Sequence, residues 1–161
     1  MMVADTGPII AFARIGRLDL LRQVVGELVI PEAVYEELTS QGHERPGAAE
    51  VARGEWIQQR IVGDHAMVAQ LPHVLHAGER EAIVLAEELH AQLLIDEQRG
   101  RNMATACGVT VLGSLRILIE AKRRGLIDRA QPLLEAMLSA GYWIDEELLP
   151  PFFQEIGEQR S

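Results

Sequence analysis

Cysteine is nearly missing: Cys107 stands alone among 161 residues, which excludes an intramolecular disulfide and leaves this thiol as a packing residue. No apolar run reaches the roughly eighteen residues that a membrane helix needs, so no membrane association is expected. No basic segment followed by an apolar one resembles a secretory leader, and a reducing cytoplasm is the expected location. No Cys/His set has zinc spacing, because His43, His65, His73, His76 and His90 are scattered among loops and polar faces. The lysine-ended phosphate loop, the dinucleotide fingerprint and the Gly-x-Ser-x-Gly elbow are all lacking, which removes nucleotide-binding loops and a serine nucleophile. Positive charge is also short. With 15 Lys and Arg against 24 Asp and Glu, the formal charge is −9, which argues against indiscriminate nucleic-acid binding. It does not exclude a nuclease whose acids are partly neutralised by bound metal. Repeats, low-complexity tracts and interdomain linkers are absent, so residues 1–161 are expected to form one domain with its own core.

The chain opens on Met-Met-Val-Ala-Asp-Thr-Gly-Pro, an apolar run cut by Asp5 just before a helix start at Gly7-Pro8. A short buried strand ending at Asp5 follows, with the acid in the crevice where open α/β sheets put their ligands. The competing reading is that Asp5 or Thr6 merely caps the next helix. Beyond it, helical spacing predicts helices over 9–15 and on past Gly16, a strand over 28–30 and a helix opened by Pro31 with Glu32 near its positive end. Residues 40–47 read as a loop and 48–53 as a turn or two of helix, with extended chain at 56–57 and 61–62. Asp64 is placed to cap a short helix that Pro72 ends. From Gly78 a helix feeds the strand 93–95, which Asp96 ends as Asp5 ends the first. A helix over 97–107 closed by Gly108, a strand over 109–111 and a helix from Ser114 to about residue 124 come next. The tail is helical over 130–140 and from 145 to about 158, interrupted by Pro150-Pro151. Strands alternating with helices predict a mostly parallel α/β sheet of four or five strands with helices on both faces.

Buried acids need partners, so the acids that the pattern turns inward carry the chemistry. On a helical wheel Glu37 falls between Ala33 and Val34 in the core-facing stripe, whereas Glu36 points away. Glu79 projects between Ala86 and Ile83, and Glu81 lies at the edge of that stripe beside Leu85. Either can line a cleft at the helix start, or simply favour the helix N-terminus. Asp5, Glu37, Glu79 or Glu81, and Asp96 are then carboxylates from separate elements, an oxygen donor set suited to Mg²⁺ or Mn²⁺. Acids without a nucleophile point to metal-assisted hydrolysis. Arg99, Arg101, Arg116, Lys122, Arg123, Arg124 and Arg129 crowd one third of the chain, as a phosphate-facing surface or as a solvated helix face.

The stretches "VADTGPIIAFARIGRLDLL", "VIPEAVYEEL", "GEREAIVLA", "LLIDEQRGRNMA", "GVTVLGSLRILIEAKRRGLI" and "PLLEAMLSAGYWIDEELL" resemble the PIN domain, within it the DUF3368-type proteins related to VapC toxins. The likeness covers nearly the whole chain. It implies a PIN-like three-layer sandwich, with C-terminal helices over 129–158 packed on it, and a metal-dependent nuclease. The resemblance places the acids at Asp5, Glu37, the Glu79/Glu81 pair and Asp96, with Glu97 competing for the last place. Thr6 and Ser114 match small polar positions near that site, and Arg101 matches a recurring arginine after the last acid; the resemblance implies these three as substrate contacts.

The expected function is therefore a Mg²⁺- or Mn²⁺-dependent endoribonuclease, the toxin half of a toxin–antitoxin pair, with RNA as substrate and an antitoxin protein as partner. A PIN-fold binding module that no longer cuts is the alternative, favoured by the charge of −9. A phosphotransfer domain with Asp5 as nucleophile ranks last, because its usual second acid two residues on is here Gly7. Ile117, Leu118 and Ala121 on one helix side, with Trp143, Leu148, Leu149, Phe152 and Phe153 in the tail, predict a homodimer contact, against packing onto the chain's own core.

Overall fold

A computed structural model describes residues 1–40 and 45–161. The three-residue strand β1 (Met2–Ala4) alternates in the way a pleated strand must: Met2 and Ala4 join one apolar core and Val3 the other. Strands β2 (Leu28–Ile30), β3 (Ile57–Gln59), β4 (Gln92–Leu94) and β5 (Val111–Leu112) complete a sheet of order β3-β2-β1-β4-β5. Every pairing is parallel. Because β1 lies between β2 and β4, the chain winds outward in one direction as far as β3 and then in the other from β4. The reversal leaves a crevice at the carboxyl ends of β1 and β4.

Helices cover both faces. On one lie α1 (Thr6–Arg14), α2 (Leu18–Val25) and α8 (Ser114–Arg123), with the C-terminal α9 (Gln131–Ser139) and α10 (Leu149–Ile156) packed against them. The other face carries α5 (His65–Gln70), α6 (Ala77–Leu89) and α7 (Gln98–Ala106). Two further helices, α3 (Glu32–Thr39) and α4 (Ala48–Arg53), flank the β2–β3 side, and α3 packs against α6. No helix among the described residues is long and apolar enough to cross a membrane.

Local signals explain most boundaries. The Asp64 carboxylate accepts from the Met67 N–H and caps α5 as expected. Three expectations shift. Strand β5 begins at Val111 and not at residue 109, because the Val109 N–H still closes the end of α7 on the Ala104 carbonyl, with Gly108 at φ +79°. The extended chain expected near Ile61-Val62 ends earlier, at Gln59. Pro150-Pro151 does not interrupt the last helix. Both prolines lie in the first turn of α10, after a single 3-10 turn at Glu146–Leu148, where a missing N–H costs nothing. The loop expected over 40–47 falls partly at 41–44, outside the described residues, as does His43.

Candidate active site

Asp5 sits where β1 gives way to α1, and its N–H donates to the Leu94 carbonyl of β4 at 2.9 Å. It occupies the N-cap position of α1, yet its side chain accepts no capping hydrogen bond. The cap reading therefore fails, and the carboxylate, 8% exposed, faces a cleft of ≈ 1100 Å³. Asp96, two residues past β4, faces the same cleft from the neighbouring strand. Glu79 reaches it from the first turn of α6 and is 3% exposed. Glu37 reaches it from the last turn of α3 and accepts from the Thr6 hydroxyl at 2.8 Å. Four carboxylates from four elements thus share one cavity.

Glycine makes the room. A methyl group on Gly78 would lie 3.4 Å from Glu37 Oε2 and 3.6 Å from Asp5 Oδ1, which places both oxygens around a single point at the start of α6. At Gly113 it would lie 3.0 Å from Asp96 Oδ1 and 3.0 Å from Arg101 Nη1.

Three of these acids, Asp5, Glu79 and Asp96, are raised in proton affinity, chiefly by burial. Burial is the main cause of Asp5 being pushed up from 3.8 to about 7. The adjacent Thr6 N–H opposes this, while the negative charges of Glu79, Glu37 and Asp96 add to it. Burial likewise raises Glu79, with the Glu97 charge adding and the Arg99 guanidinium opposing. Asp96 is raised by burial against the pull of Ser114, Tyr142 and Arg101. Its two oxygens accept from the Ser114 N–H at 2.7 Å and the Ser114 hydroxyl at 2.6 Å, which fixes the carboxylate at the mouth of α8.

Several expected placements change. Glu81 is not in the cleft: it accepts from the Ala33 N–H at 3.1 Å and serves the open first turn of α3. Of the Glu79/Glu81 pair, only Glu79 faces the other acids. Glu37 is exposed and not sunk in the core stripe, because only Val34 and Leu38 of α3 are buried and the flank bearing Glu37 looks across the cleft at Thr6. Ser114 is fully buried and holds Asp96, so it is not presented to a substrate. Arg101 lines the cleft with its guanidinium bonded to the Ile95 carbonyl at 2.8 Å, steadying the strand end beside Asp96. Glu97 is exposed on the rim. The basic third of the chain divides: Lys122 and Arg129 pair with Glu158, and Arg123 and Arg124 with Glu120. Arg99, Arg101 and Arg116 line the cleft.

Tyr142 has no counterpart in the sequence reading, and Arg99 enters it only among the crowded basic residues, not as a partner of an acid. Tyr142, from the turn after α9, lines the cleft beside Asp96, and its own hydroxyl is pushed far up by burial and by that carboxylate. Arg99, at the start of α7, stands 3.6 Å from Glu79 and 3.8 Å from Glu97. Both reach their acids across long sequence separations, and only Arg99, close after Asp96 in "IDEQRGR", gave a local hint.

Among the described residues, no three His, Cys, Asp or Glu side chains lie together so as to hold a metal ion between them. The donor set nonetheless fits a hard divalent ion, because Mg²⁺ keeps several waters and takes only one or two carboxylates. The buried Oε2 of Glu79, which finds no hydrogen-bond partner among the described residues, is the kind of atom such an ion satisfies.

An all-parallel sheet that gathers carboxylates at its topological switch point, with no nucleophile beside them, is the architecture of acid-centred α/β nuclease folds. The chain belongs to the PIN-domain family: the family's model, DUF3368, matches residues 1–158. A solved structure of a PilT N-terminus domain protein from the hyperthermophilic archaeon Sulfolobus solfataricus P2 shares the fold, at 16% identity and a TM-score of 0.53 over 91% of this chain and 98% of that one. No curated protein matches the chain.

Proposed function

We propose that the protein is a metal-dependent endoribonuclease in which Asp5, Glu37, Glu79 and Asp96 hold Mg²⁺ or Mn²⁺ and hydrolyse RNA phosphodiester bonds. The observation that carries this reading is the burial of Asp5 and Glu79 in one cleft, raised in proton affinity and without enough partners. Such an arrangement is costly unless a cation completes it. When bound, the ion supplies an activated water and neutralises charge developing on the phosphate. The protein's own part is positioning. Ser114 orients Asp96, Thr6 orients Glu37, and Arg101 fixes the backbone at Ile95. Arg99 lends positive charge to a cleft whose protein carries −9 overall, whereas Arg116 on the same wall is paired with Glu155 at 2.8 Å. We further propose that the enzyme acts as the toxin of a toxin–antitoxin pair and associates as a homodimer.

The binding-module reading draws support from the net charge and from the open spacing of the acids. Melting with and without Mn²⁺, beside cleavage of a mixed RNA pool, separates the two. The parent should gain stability from Mn²⁺ and cut, Asp5→Asn should do neither, and the exposed control Glu36→Gln should behave as the parent. A parent indifferent to Mn²⁺ in both assays leaves the binding module standing.

A further inference from the structure

Arg99 is held against the buried acid Glu79 in an unusual way. Arg99 Nη2 lies 3.6 Å from Glu79 Oε1, close enough for charge attraction and too far for a good hydrogen bond. On the acid, Oε2 is buried with no hydrogen-bond partner among the described residues. On the guanidinium, Nε is in the same condition. Two oppositely charged groups therefore face each other, and each leaves the other's buried polar atom unsatisfied. Buried groups of this kind are ordinarily paired, and leaving one unpaired costs stability. Arg99 has an alternative close by, since its side chain is 38% exposed and Nη2 also lies 3.8 Å from the exposed Glu97 on the cleft rim. Glu79 is 3% exposed, and its carboxylate lies at the wall of the cleft on a short side chain from the first turn of α6. The acid is fixed and the base is free to swing.

We propose that Arg99 is a built-in counter-ion that a divalent metal displaces from Glu79, and that the displaced guanidinium then takes a phosphate of the RNA. This rests on the metal-dependent reading above. A doubly charged oxygen-seeking ion satisfies the Glu79 carboxylate better than a guanidinium without a hydrogen bond, and like charge drives the two cations apart. Released toward the rim, the planar five-donor head meets an incoming phosphodiester bidentately. Arg99 is then a positioning residue whose availability follows metal loading, so substrate is gripped only where the site is charged for cleavage.

The experiment is Mn²⁺ titration by calorimetry on the RNA-free protein, followed by steady-state cleavage of a short single-stranded RNA at saturating Mn²⁺, for the parent, Arg99→Gln and Arg99→Lys. Removing the competing cation should tighten Mn²⁺ binding by about tenfold in Arg99→Gln, the size of effect that one unit charge exerts at this range in partly screened surroundings. Its KM for RNA should rise about tenfold, the loss of one charged phosphate contact, with kcat nearly unchanged. Arg99→Lys keeps the charge and should bind Mn²⁺ as the parent does, which also guards against a glutamine variant that fails to fold. Equal or weaker Mn²⁺ binding by Arg99→Gln overturns the displacement, because Arg99 would then only be ordering Glu79. Tighter binding with an unchanged KM overturns the phosphate role. A parent that binds no Mn²⁺ overturns the metal reading itself, and this proposal with it.

Discussion

At the scale of the residue, Asp5 shows how much one charged side chain in an apolar run can reveal. An acid between Ala4 and a helix start marks a strand end whatever the rest of the chain does, and it lies there. Its proton affinity sets a pH dependence with a definite sign. Between the ordinary value of 3.8 and about 7 the folded chain binds a proton that the unfolded chain has released, so metal-free stability falls as pH rises through that window. Each unit of pKa corresponds to about 1.4 kcal/mol, so the loss is on the order of a few kcal/mol. Urea denaturation at a series of pH values should show this slope in the parent and a much flatter one in Asp5→Asn, which should be the more stable of the two near pH 7 without metal. Ser114 makes the opposite case. Ser114→Ala removes a buried hydroxyl that donates to Asp96 at 2.6 Å and should cost about 1–3 kcal/mol, read as a lower urea midpoint with unchanged slope. Nothing in the sequence distinguished that serine from a substrate contact, because its burial depends on α9 and α10 folding back over α8.

Elements were legible wherever their signals were local. The strand-ending acids, the Pro31 helix start, the Asp64 cap and the Gly108 stop all fall within a few residues of what they control. Signals that act between elements were not. The wheel could not choose between Glu79 and Glu81, because both lie near the start of α6; the choice is made by α3, whose Ala33 N–H takes Glu81. The first N–H groups of α9 behave likewise. Position 130 is an alanine with no capping side chain, and the Ala130 and Gln131 N–H groups instead donate to Glu158, beyond the end of α10, at 2.7 and 3.1 Å. The same carboxylate receives Lys122 Nζ from α8 at 2.9 Å, so one acid ties three helices together. Burial raises Glu158, but Lys122 and the two N–H groups outweigh it and hold it below the ordinary 4.5. The stabilisation it gives is present above that value and is lost as pH falls through the lowered one. Glu158→Gln should cost about 1–3 kcal/mol at neutral pH and remove that acid-side loss, measured by thermal melting from pH 3 to 7.

For the whole molecule, the apolar residues expected at a dimer contact divide in two. Ile117, Leu118, Ala121, Leu149, Phe152 and Phe153 are buried in the chain's own core, whereas Trp143 is 81% exposed and Leu148 is 48% exposed. Of the residues expected at a dimer contact, these two, between α9 and α10 on the rim of the cleft, are the ones left open to a partner. Light scattering at micromolar concentration should give a dimeric mass for the parent and a monomeric one for Trp143→Ala with Leu148→Ala; a monomeric parent ends the dimer. The central position of β1 has a further consequence, for the order of events during synthesis. The flank that β1 offers to β4 stays bare until residues 92–94 appear, 87 to 89 residues after Asp5. Ser114, which holds Asp96, comes later still. A fragment that stops before residue 96 lacks both Asp96 and the β4 edge that anchors the Asp5 backbone, and so cannot gather the four acids.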